Sequence, residues 1–152
     1  MAITAAEARA QILDELAAAI DQLATAVACL GDAYEDLDDA TADRMEDVLF
    51  RPAQKAFGRA KRTHSQFAGR VGLSAAAWQP PAAPAGTRGA KALIERAVAC
   101  AGEADRILAE LQDSMLPIES GDAELRAGLT EVRDLIAGQG DRSRTLLRGL
   151  GR

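Results

Sequence analysis

From Leu13 onward, apolar residues recur at three- and four-residue intervals without a miss: Leu13, Leu16, Ile20, Leu23, Val27, Leu30, Tyr34 and Leu37. A strand alternates its side chains with a period of two and cannot produce that spacing, whereas a helix packed through a heptad seam does. A second row at sevenfold spacing, Ile12, Ala19, Ala26 and Ala33, runs beside it. A stripe this wide suits a helix with two neighbours. The first predicted helix therefore spans Thr4 to Asp38.

Three further segments carry the same period. The second predicted helix covers Thr41 to Arg70, with Asp39 or Thr41 able to cap it and a seam of Phe50, Ala53, Phe57, Ala60, His64, Phe67 and Val71. Pro52 should kink or divide it, because proline lacks a backbone donor and crowds the preceding turn. The third covers Ala90 to Met115 through Ala90, Ile94, Ala97, Ala101, Ala104, Leu108, Leu111 and Met115. The fourth covers Asp122 to Leu150 through Leu125, Leu129, Val132, Ile136, Leu146 and Leu150, with Gln139 and Ser143 as polar members of its seam.

Residues 72–89 read as an internal linker rich in Pro, Gly and Ala, since Pro80, Pro81 and Pro84 cannot continue a helix. The other connections are short, which makes helices 1–2 and 3–4 antiparallel hairpins. The fold class expected is all-α: an antiparallel four-helix bundle forming one domain over residues 1–152. The spacing does not choose whether the linker runs along the bundle or crosses its end, and it is equally compatible with two chains exchanging hairpins as a homodimer. With only five aromatic residues in 152, the core has to be built from Ala, Leu, Ile and Val, which favours close-packed helices over a sandwich.

Charge divides the chain into blocks. Residues 1–47 carry a net charge of −10, residues 48–94 carry +8 with no acid among them, and residues 95–152 carry −3. One reading pairs acidic helix 1 with basic helix 2, for instance Asp21 with Arg59 and Asp14 with Arg62 or Lys61. The other makes Arg51, Lys55, Arg59 and Arg62, which fall on one helical stripe, an anion-binding face. The acidic total of −5 and the lack of aromatics along the stripe argue against nucleic acid as the partner.

No phosphate loop, dinucleotide glycine fingerprint, metalloprotease helix or serine-hydrolase elbow occurs. The single histidine excludes a multi-histidine metal site, so no catalytic residue, metal or cofactor is expected. Two features stand out against this background. His64 occupies the seam of helix 2; if helices 2 and 4 run in the same direction, it lies level with Gln139 and Ser143, and the three form a buried polar layer able to act as a ligand pocket or pH switch. Trp78, alone in the linker, either folds back on the core or serves as an anchor for a partner protein. The first ten residues hold Glu7 and Arg9 and no apolar run of a leader, and no stretch approaches the ~18 apolar residues of a membrane span. The function expected is therefore a non-enzymatic, cytoplasmic interaction module, an adaptor, chaperone or assembly partner for another protein.

Overall fold

The computed structural model of the chain describes residues 2–78 and 82–150, and these form helices and connecting turns without a strand. The linker residues Pro80 and Pro81 lie outside the described set. Helix α1 spans Ala5–Glu35; Thr4 caps it, its Oγ1 accepting from the Glu7 amide at 3.1 Å. Next comes α2 (Asp39–Met45), capped by Asp38 rather than by Asp39 or Thr41, followed without interruption by a π turn over Glu46–Phe50 and by α3 (Arg51–Arg70). Helices α4 (Ala90–Asp113), α5 (Leu116–Glu119), α6 (Ala123–Ile136) and α7 (Gln139–Leu150) complete the chain.

Two apolar clusters define the directions of the helices. One gathers Ile12 to Leu23 of α1, Ala56 to Ala68 of α3, Ala104 to Leu111 of α4 and Leu125 to Ile136 of α6. The other gathers Ala26 to Ala33 of α1, Met45 to Ala53, Leu93 to Cys100 of α4 and Leu146 of α7. Early α1 thus meets late α3 and late α4, so both run antiparallel to α1. The α6–α7 arm runs opposite to α3, because Arg70 binds Asp122 through two bonds of 2.7 and 2.9 Å while Arg59 reaches Glu131 at 2.6 Å. Helices 2 and 4 of the sequence analysis therefore do not share a direction. The linker starts where α3 ends, beside the first cluster, and reaches α4 beside the second. Trp78 packs on the first cluster and Ala83 on the second, which places the linker along the molecule instead of across its end.

The α1–α4 contact is the most extensive. Its residues are small: Ala19, Ala26 and Ala33 face a helix carrying Ala97, Ala101 and Ala104, all buried. Alanine faces let two helix axes approach closely, and this is why the sevenfold row of α1 is more deeply buried than the outer seam residues Val27, Tyr34 and Leu37, which are half-buried. By length and composition α1 could also cross a bilayer, a possibility the residue-by-residue reading had excluded; in this fold its apolar stripe is covered by α3 and α4.

The fourth predicted helix is two. At Ala137 the backbone turns extended, and Gly138 takes φ +78°, a left-handed conformation that a side chain would strain. Helix α7 then restarts and packs against α4 and the π turn.

Candidate functional site

Pro52 sets up the first polar contact. It has no N–H, so the Val48 carbonyl four residues back receives no α-helical donor. The chain just before Pro52 forms a π turn, and α7 brings side-chain donors to two of its carbonyls, one of them the orphaned Val48 O. Arg142 Nε donates to Val48 O at 2.7 Å, and Gln139 Nε2 donates to Leu49 O at 3.0 Å. Ser143 Oγ donates locally to Gly140 O at 2.8 Å. Gln139 and Ser143 are buried, yet their role in this geometry is to complete backbone hydrogen bonding rather than to form a layer with His64. Along α3, His64 lies fifteen residues beyond Leu49, or ~22 Å at ~1.5 Å per residue. The antiparallel course of α6–α7 puts Gly128, not Gln139, beside this stretch of α3.

His64 is 3% exposed, and its Nδ1 has no hydrogen-bond partner. Trp78 meets the imidazole edge-on, with ring centroids 5.0 Å apart. Two residues singled out separately in the sequence thus form one contact. Trp78 is half-buried on the core, which does not suit it to be an exposed anchor. Burial pushes the His64 pKa below its ordinary value; a bond with the Leu13 backbone and the Asp14 carboxylate oppose that shift without reversing it.

The basic stripe does not pair with α1. Among the described residues no ion pair joins α1 to α3, so the pairings of Asp21 and Asp14 with α3 are not made. Arg51 is neutralised within its own helical segment by Asp47 at 2.7 Å and Glu46 at 3.6 Å. Arg59 turns to α6, where it binds Glu131 and donates to Thr63 Oγ1 at 2.9 Å. Thr63 is buried directly over Gly128, where an added Cβ would fall 2.3 Å from its Oγ1, so the α3–α6 approach requires glycine there. Lys55, Lys61 and Arg62 make no ion pair among the described residues and share with Arg59 a groove of about 660 Å³.

A second cleft of about 540 Å³ lies where α6 gives way to α7, lined by Asp105, Gln112, Arg133 and Gln139 among others. Within it Arg133 binds Asp105 at 2.8 Å and Gln112 at 2.8 Å, and Asp134 makes no ion pair among the described residues. Cys29 and Cys100 are buried free thiols, and burial together with Cys100 pushes the Cys29 thiol up, away from the reactive thiolate. Among the described residues no three His, Cys, Asp or Glu side chains converge on a point able to hold a metal ion. Comparison with protein-family models, curated proteins and solved structures finds no match for this chain.

One feature was not singled out from the sequence. The exposed large apolar side chains Ile3, Leu73, Met115 and Ile118 all belong to the end formed by the start of α1, the end of α3, the end of α4 and α5. Leu73 follows a helix stop in which its own amide bonds Ala68 O at 2.8 Å, with Gly72 left-handed. Met115 is held at φ +68°, the one non-glycine left-handed residue among those described. Met115 was read as the last member of the third seam, but the helix stops at Asp113 and leaves it exposed. Only the helix directions bring them to one end.

Proposed function

We propose that this chain is a non-enzymatic helical interaction module of the cytoplasm, an adaptor, chaperone or assembly partner, working as a single antiparallel four-helix bundle that binds another protein through the α1-start and α5 end. The observation that carries this reading is the gathering of Ile3, Leu73, Met115 and Ile118 there, with exposures of 47, 40, 45 and 57%. Single apolar residues scattered over a surface need no explanation, but several confined to one end mark a contact surface. Their burial in a complex would supply binding energy at ~25 cal/mol per Å² before the costs of association.

A photo-crosslinker at Ile118 tests it against one at Ala99, an exposed position in the middle of α4. A discrete adduct with another protein, or with a second copy of this chain as a homodimer, is expected only from position 118, and Ile3→Asp should abolish it. Equal labelling from both positions, or none from either in native lysate, would contradict the proposal.

A second reading, a pH response, is favoured by one observation: His64, buried and unpartnered at Nδ1, is roofed by Trp78 of the linker. Protonation would place an N–H with no acceptor in a buried site.

A further inference from the structure

We propose that the groove between α3 and α6 binds a compact anion carrying one or two phosphate groups, held by Lys55, Arg59, Lys61 and Arg62. The groove is a concavity of about 660 Å³ lined by these four cations with Gly58, Leu135 and one acid, Glu131. Two of the cations are already oriented. Arg59 is fixed by Glu131 at 2.6 Å and Thr63 at 2.9 Å, which occupy its Nε and one terminal nitrogen and leave its other terminal nitrogen available. Lys61 Nζ stands 4.1 Å above the centre of the Phe57 ring. Orientation before binding lowers the entropy cost of gathering charged side chains on a ligand. Lys55 and Arg62 are exposed and free to close over it, and Gly58, whose Cα faces open space, leaves the floor between them unobstructed.

The extent of free charge decides the class of ligand. Toward the start of α3 the stripe is silenced at Arg51 by Asp47 and Glu46; toward its end, at Arg70 by Asp122 and Glu124. Cations without an acid partner are Lys55, Lys61 and Arg62, and with the free terminal nitrogen of Arg59 between them they span seven residues or ~10 Å along the axis. That matches one phosphate or a diphosphate, for which charge-assisted bonds are strongest. It is too short to track a nucleic-acid strand and offers no aromatic platform for bases. An anionic lipid headgroup and a soluble phosphate compound present the same chemistry here.

The test is a backbone-amide NMR titration of the full chain with inorganic pyrophosphate. Amides of residues 55–62 and 131 should shift, and the effect should weaken with added salt. Lys55→Gln with Arg62→Gln, both at exposed positions that leave the fold intact, should weaken binding about tenfold or more. Arg51→Gln should leave it unchanged, because its charge is already cancelled. Co-sedimentation with phosphatidylcholine vesicles containing phosphatidic acid separates the sources: retention lost in the Lys55/Arg62 variant identifies a headgroup, and pyrophosphate binding without retention identifies a soluble ligand. Pyrophosphate shifts that are absent, or equally sensitive to Arg51→Gln, would overturn the proposal. So would a single-stranded oligonucleotide or an oligoglutamate peptide binding this face when pyrophosphate does not.

Discussion

His64 is the residue on which solution conditions act most directly. Its ring is buried, with Trp78 from the linker edge-on to it and the Leu13 backbone of α1 bonded to it, and desolvation lowers its pKa in the folded protein. The unfolded chain takes up a proton near pH ~6.5, and the folded protein only at lower pH. Acidification therefore feeds protons to the unfolded state first. The stability associated with His64 is complete above about pH 6.5 and is lost as pH falls below it. Urea melts across pH ~5–8 should show this decline in the wild type and a flatter profile in His64→Gln, and the imidazole NMR titration should give a midpoint below ~6.5. Superimposable pH profiles would contradict the burial account. That His64 is buried was legible from its place on one seam with Phe57 and Phe67. Its contact with Trp78 was not, because a Pro/Gly/Ala linker has no period from which to read where its one large side chain comes to rest.

At the scale of elements, the decisive events are the π turn and the break at Gly138. Pro52 announced the first as a disturbance in helix 2, but instead of dividing the helix the disturbance was absorbed as a wider turn whose carbonyls are served from α7. Gln139 and Ser143 were visible as polar interruptions of a seam; their partners were not, since a hydrogen bond to Leu49, ninety residues away, depends on register that periodicity does not encode. The break itself was hidden because a glycine inside a helical pattern is usually tolerated at ~1 kcal/mol. The contrast between the two polar residues is testable. Gln139→Ala removes the donor to a buried carbonyl and should cost ~1–3 kcal/mol in denaturant melts. Ser143→Ala removes only a bond to a neighbouring turn and should cost clearly less. Equal losses, or the opposite order, would show that Gln139 is not the group that completes the π turn.

For the whole molecule, the heptad spacing sufficed to show that the chain folds into helices, and said nothing of which helix runs beside which. The block charges pointed α3 toward acidic α1, yet Arg59 meets Glu131 of α6 and Arg70 meets Asp122, its cap, and Glu124. The course of α4 and α6–α7 is what everything functional rests on. It brings Met115 and Ile118 to the same end as Ile3 and Leu73, aligns α6 with α3 to form the basic groove, and separates Gln139 from His64. The alternative, with helix 4 parallel to helix 2, would undo all three. Spin labels introduced by Gln66→Cys with Ala123→Cys, and by Gln66→Cys with Thr145→Cys, in a Cys29→Ala and Cys100→Ala background, distinguish the two by pulsed dipolar spectroscopy. Antiparallel α3 and α6–α7 predict a 66–123 separation under ~20 Å, given helix axes ~8–10 Å apart, and a 66–145 separation near ~30 Å, from some twenty residues at ~1.5 Å each. A shorter distance for 66–145 than for 66–123 would contradict the account.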